Sequence, residues 1–240
     1  MKLRAIAVTI SATALSLGMA GSAGASLGSQ ARPAPQVAGT RLQSALLPAS
    51  AFGSGFTVFN RHNSGRTLLS SQALIRPSNL SCVNFEEYTF VAGFGNTAGA
   101  FDSINNPSPA FSNYPSVVLG GDQAVLQFKS AGAAASFYNR AYARYNQCSA
   151  FKEPDPADQT TVELTTQSLS NTIIAGHRAF QLIQHANYAS LSGFDFYDVT
   201  AVVLAGTNVY TVDDVNGTND PISGSLLSRL ISRVQALYKH

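Results

Sequence analysis

Cys82 and Cys148 are the only two cysteines in this 240-residue chain, and both lie downstream of an N-terminal export signal. An exported chain reaches an oxidising compartment, where a lone cysteine pair is expected to close a disulfide. Between them sit a strand-like run, Ala124-Val125-Leu126-Gln127-Phe128, and a helix-like run from Ala133 to Asn146. The bond would staple a helix end to an early loop, which the chain-entropy account values at roughly 4 kcal/mol.

The export signal has three parts. Lys2 and Arg4 form a basic start, Ala5 to Leu17 is uncharged, and Ala23-Gly24-Ala25 supplies small residues for cleavage. Residues 1–25 are therefore read as a signal peptide cut between Ala25 and Ser26. The uncharged run is short and rich in Ser and Thr for a bilayer span. Ser26 stands where a lipid anchor would need a cysteine, so the expected product is secreted, with no stable membrane anchor after cleavage. Removing Lys2 and Arg4 from the 15 basic residues leaves 13, equal to the 13 acidic ones. A neutral mature chain has no electrostatic pull toward nucleic acid. Residues 26–39, with Pro33 and Pro35, have little apolar surface to bury and are expected to be a disordered linker. Residues 40–240 suffice for one domain.

Thr40 to Leu47 reads as a short helix stopped by Pro48. Cys82 to Gly93 alternates as a strand. Val117–Leu119 and Gln123–Phe128 read as two strands, with Gly120-Gly121-Asp122 as the bend between them. Ser130 caps a helix running to Asn146, and Pro154 and Pro156 mark a loop. Thr161–Gln167, Thr172–Ala175, Ala179–His185, Phe194–Leu204 and Val209–Val215 form a run of strands, the last two joined by a Gly206-Thr207-Asn208 turn. Asp220 and Pro221 suit the cap and first position of a closing helix. Its stripe is Ile222, Leu226, Leu230, Val234 and Leu237. The fold class expected is α+β: a twisted antiparallel sheet with helices packed on one face, and one disulfide.

Apparent catalytic motifs lack their contexts. Gly24-Ala25-Ser26-Leu27-Gly28 matches a nucleophile elbow but straddles the cleavage site. Ser149-Ala150-Phe151-Lys152 matches S-x-x-K without its companion motifs. Gly93 to Ala98 resembles a dinucleotide fingerprint but no βαβ pattern follows. Asp213, Asp214, Asn216, Asn219 and Asp220 form an oxygen-rich cluster without calcium-loop spacing. His177 and His185 would share a strand face, but no third metal ligand is near in sequence. No enzyme activity, metal or cofactor is expected.

The segment Val125 to Ala134, with its strand–helix pattern, and Cys148 ending the helix resemble the actinobacterial PknH-like extracellular sensor domain family. Further likenesses are Leu46-Leu47-Pro48, the early Cys82, Val202 to Val209 as a hairpin, and the closing helix from Ile222 to Tyr238. The resemblance spans roughly residues 40–239. It implies a twisted antiparallel sheet with helices on one face, and a cleft for an extracytoplasmic ligand. The chain has no tryptophan before its second cysteine, where Tyr145 stands. The expected function is a secreted, non-catalytic sensor-like domain that binds a small molecule, glycan or envelope component. The alternatives are an envelope protein acting through a protein partner, and a secreted hydrolase. Tyr88 and Tyr145, near the two cysteines, are the expected cleft-lining residues.

Overall fold

The computed structural model describes residues 35–64, 95–106, 119–154, 161–188, 196–216 and 219–239. Eight strands form one sheet. They are β1 (Thr57–Ser64), β2 (Asn96–Asn106), β3 (Leu119–Phe128), β4 (Ala150–Pro154), β5 (Thr161–Ile174), β6 (His177–Tyr188), β7 (Phe196–Ala205) and β8 (Asn208–Asn216). Among the described residues three α-helices accompany them: α1 (Gly39–Ala45), α2 (Ala131–Gln147) and α3 (Gly224–Ala236). The strand order is β1-β2-β3-β8-β7-β6-β5-β4, and every neighbouring pair is antiparallel. Among the described residues no helix is long and apolar enough to cross a membrane.

Two-residue turns build two of the hairpins. Ala175 and Gly176 both have positive φ, 51° and 78°, and join β5 to β6; Gly206, at φ 61°, opens the turn from β7 to β8. Positive φ at both central residues matches the right-handed twist of the strands. Among the described residues the long crossing is made by α2, which carries the chain from β3 to the far edge at β4. Five strand spacings separate these, about 24 Å, and 17 helical residues rise about 25 Å. Ser130 accepts a hydrogen bond from the Ala133 N–H at 3.2 Å and caps this helix, as its sequence predicts.

The helices do not share one face, contrary to the sequence expectation. α2 lies on one side and packs Ala134, Phe137, Tyr138, Ala141 and Tyr145 against Leu126, Phe128, Phe180, Leu182 and Val202. α1 and α3 lie on the other, packed against Val125, Val199, Ala201, Val203, Tyr210 and Val212. The physical reason is in the central strands. Ala201-Val202-Val203 points apolar side chains to both sides, and such a strand needs cover on both.

Other elements also differ from expectation. Gly120-Gly121-Asp122 is not a bend, because β3 runs through it. Gly121 is needed for close approach instead: a Cβ there would stand 2.5 Å from the Asp213 carbonyl oxygen of β8. Thr161 to Ile174 is one strand, not two, with a register shift between Thr166 and Ser168. Pro154 ends edge strand β4, where a missing N–H is tolerated. α3 begins at Gly224 rather than at Pro221, since Ile222 is drawn into the core (7% exposed) and its carbonyl accepts from Gln181 Nε2 at 3.3 Å. The Cys82–Gly93 strand lies outside the described residues.

The expected linker over 26–39 gives way at Gln36 and Val37. Val37 is buried (5% exposed), and its backbone meets the side chain of Gln127: Val37 N–H donates to Oε1 at 2.9 Å, and Nε2 donates to Val37 O at 3.1 Å. Gln127 also donates to Gln36 Oε1 at 3.0 Å and accepts from the Tyr238 hydroxyl at 2.7 Å. Four residues earlier on the same face, Gln123 holds Leu47 in the same way, at 2.9 and 2.7 Å. Between these anchors, Gln43 donates to Asp102 at 2.5 Å, and Arg233 of α3 donates to the carbonyls of Ala45 and Ser44 at 2.8 and 3.1 Å.

Replacing Gln127 with leucine leaves the buried Val37 N–H and C=O unsatisfied, at about 1–3 kcal/mol each. Chemical denaturation of Gln127→Leu is expected to show a loss of about 2–4 kcal/mol. An unchanged midpoint would refute the role of this clamp. Asp102 supplies a pH test. Its side chain is 2% exposed; burial raises its pKa, outweighing Arg61 (3.0 Å away) and Gln43, which lower it. The folded protein therefore holds the proton more tightly than the unfolded chain. Stability is expected to fall as pH rises above 3.8 through the folded pKa. Asp102→Asn should flatten that slope in acid denaturation profiles.

Candidate functional site

β8 places alternate side chains on opposite faces. Tyr210, Val212 and Asp214 point toward α1 and α3, while Val209, Thr211 and Asp213 point the other way. Asp213 is buried and accepts from the Thr200 hydroxyl at 2.9 Å. The adjacent carboxylates thus diverge, and the oxygen-rich cluster read from the sequence does not gather as one set. Asp214 and Asp220 do come together, as lining residues of a cavity of about 320 Å³.

That cavity lies where three segments meet. Ala51 and Phe52 come from the 3₁₀ turn Ala49–Ala51 and the residue after it. Val212 and Asp214 rise from β8, and Asp220 to Ser223 lead into α3. Ser225 and Arg229 share one side of α3, since positions i and i+4 share a helical face, and Leu226 lies at its border with the core. The opposite side of the helix carries Leu227, Leu230, Ile231 and Val234 into the core. Ser223, the residue before α3, makes no side-chain cap bond; its hydroxyl meets that of Ser225 at 2.8 Å. The volume sits at the lower end of small-molecule sites, which span about 300–1,000 Å³.

Tyr145, expected to line a cleft, is 4% exposed and packs edge-on to Phe180 at 5.8 Å. Its aromatic face went to the core because it lies on the stripe that seats α2. Tyr88, Cys82, Ala25 and Ser26 lie outside the described residues. Cys148 is buried at the end of α2, its N–H bonded to Arg144 O and Tyr145 O at 3.0 and 3.3 Å. His177 and His185 fall on one face of an unbroken β6, but eight residues of strand separate them by about 27 Å. His185 instead packs near Tyr197, ring centroids 5.4 Å apart. Lys152 of the S-x-x-K match lies 3.4 Å from Glu163 in an exposed ion pair. Among the described residues no three metal-ligating side chains are placed to hold an ion.

Phe52, Ile222, Leu226 and Arg229 escaped the sequence reading as site residues. Leu226 and Ile222 look like core positions by helical spacing, and Arg229 looks like a solvated residue off the stripe. Only Asp214 and Asp220 carried a signal.

No protein-family profile and no curated protein matches the chain. A solved structure does match. The crystal structure of the extracellular domain of PknH from Mycobacterium tuberculosis shares 18% identity with this chain, at a TM-score of 0.58. The match covers 85% of this chain and 99% of that one. The likeness is one of fold: an antiparallel sheet with helices, resembling an extracellular sensor domain.

Leu226 borders both the cavity and the core, and a charged replacement tests how much of its burial is core burial. Leu226→Asp is expected to cost far less stability than Leu227→Asp in thermal melts, because Leu227 is fully buried. Equal losses would place Leu226 in the core.

Proposed function

We propose that this protein is a secreted, non-catalytic sensor-like domain that binds an extracytoplasmic ligand in the cleft at the start of α3. The observation that carries this reading is a cavity of about 320 Å³, with carboxylates, a guanidinium, hydroxyls and apolar side chains around it, on the fold of an extracellular sensor domain. Convergent polar groups over an apolar floor are the pattern of small-ligand sites. Among the described residues its lining has neither histidine nor cysteine, so no imidazole base stands beside a serine there. A docking role for a protein partner would favour a broad apolar patch. Among the described residues Ile173 alone is an exposed large hydrophobic.

The reading includes export. Residues 1–25 act as the signal peptide, cleaved between Ala25 and Ser26, and the mature protein stays outside the cell. Cys148 pairs with Cys82 in this proposal. Burial of Cys148 at the end of α2, and its not being a free thiol, support the pairing. Non-reducing peptide mapping of the secreted protein is expected to yield one linked peptide containing both cysteines. Two alkylated thiols would overturn it.

A thermal-shift screen of the secreted protein against envelope glycans, lipids and common metabolites tests the ligand reading. A ligand specific for the native state, at 100 times its dissociation constant, adds about 2.7 kcal/mol. Ser225→Trp, which fills the cavity mouth from an exposed position, should abolish the shift while leaving the unliganded melting temperature close to that of the parent. A ligand that stabilises Ser225→Trp equally would move the site elsewhere.

A further inference from the structure

The cavity is lined by charges of both signs. Asp220 and Arg229 both line it, yet no ion pair joins them among the described residues. Neither does a described hydrogen bond engage either side chain. This contrasts with the other arginines near the N-terminal segment. Arg61 is bonded to Asp102, and Arg233 donates to the carbonyls of Ala45 and Ser44. Asp214 adds a second carboxylate from the strand floor, and it already has a partner. The lining also includes Phe52, Val212, Ile222 and Leu226.

We infer that this cavity takes a small zwitterion with an apolar portion, of amino-acid or dipeptide size. The inference rests on the cleft reading above and specifies its ligand chemistry. Three ligand classes fit the lining less well. A multiply charged anion would face Asp220 and Asp214 with only one guanidinium to offset them. A bare cation would meet Arg229. A neutral apolar molecule would strip water from Asp220 and Arg229 and return no partner to either. A zwitterion meets each demand with one contact. Its carboxylate takes the fork of Arg229, a planar donor pair matched to two oxygens. Its ammonium faces Asp220, with Asp214 adding to the negative potential on that side. Its side chain covers Phe52, Ile222 and Leu226. The volume suits this size class, because 320 Å³ is small for a ligand site. The helix supplies rigidity: Arg229 sits five positions past the first residue of α3, and the far side of that helix is locked in the core by Leu227, Leu230 and Ile231. The guanidinium is thus presented from a fixed element, which lowers the ordering cost of binding.

Isothermal titration of the full secreted protein tests this with four probes: leucine in both enantiomers, leucyl-leucine, N-acetyl-leucine and leucinamide. The first two classes carry both charges; the third lacks the cation and the fourth the anion. Leucine or leucyl-leucine is expected to bind about tenfold or more tightly than either single-charge analogue, the scale of losing one charged hydrogen bond. Which of the two binds better distinguishes the amino-acid from the dipeptide source. Arg229→Gln should reduce the zwitterion to the affinity of leucinamide. Asp220→Asn should reduce it to that of N-acetyl-leucine. Both side chains are exposed, so both variants should melt close to the parent without ligand. If an analogue with one charge binds as tightly as the zwitterion, or if no zwitterionic probe binds, the inference is overturned. The cleft reading fails separately. A non-zwitterionic ligand blocked by Ser225→Trp would preserve the cleft and sink only its assigned chemistry, whereas ligands indifferent to Ser225→Trp would sink the cleft.

Discussion

Two glutamine side chains on β3 hold the N-terminal segment to the sheet. A primary amide offers one acceptor oxygen and one donor nitrogen, the same pair that a peptide unit offers along a strand edge. Gln123 and Gln127 use this to bond both backbone groups of Leu47 and of Val37. They lie four residues apart on one face, about 13 Å. α1, seven residues long, rises about 10 Å and bridges the gap. The segment thus lies flat across the sheet without being a strand in it. Leaving these amides unbonded would put polar groups in the core at a cost of several kcal/mol.

Everything on that face builds on the clamp. Tyr238 donates its hydroxyl to Gln127, so the end of α3 is tied to the same side chain. Arg233, one turn earlier, satisfies carbonyls at the end of α1 that the helix itself cannot pair. Burial pushes the Tyr238 hydroxyl above the usual tyrosine range, which keeps it a neutral donor. α1 and α3 are therefore positioned together. The turn that follows α1 brings Phe52 to the cavity, and the start of α3 brings Ser225, Leu226 and Arg229. The opposite face has a different logic. There the ring of Phe180 meets Tyr138, Tyr142 and Tyr145 within 5.2 to 5.8 Å, and aromatic packing seats α2, with Asn171 donating to the Tyr142 hydroxyl at 3.0 Å at its rim.

The likeness to the extracellular domain of PknH fits this architecture, since a sheet covered on both faces is a stiff platform for a site on its margin. Loops and helix starts can then vary without disturbing the core. At 18% identity the likeness shows the fold alone.

Elements with strong local patterns were legible in the sequence. The capped helix after Ser130, the Gly206 hairpin and the stripe of the last helix follow from propensity, turn chemistry and 3.6-residue spacing. β2 was not legible, because Thr97-Ala98-Gly99-Ala100 has weak strand propensity and is a strand only because β1 and β3 pair with it on either side. Gly121 looked like a bend, since a sequence cannot tell a glycine needed for turning from one needed for close approach. Gln123 and Gln127 looked like ordinary strand polar residues, because their partners are 76 and 90 positions away. The cavity was hidden for the same reason: Phe52, Asp214 and Arg229 have no local relation. Local backbone preferences determined by themselves which segments could be helix or hairpin. Only tertiary structure decided which face each helix covers, which amides replace a strand neighbour and which charges meet across a cavity, because those depend on contacts between residues that the chain order keeps far apart.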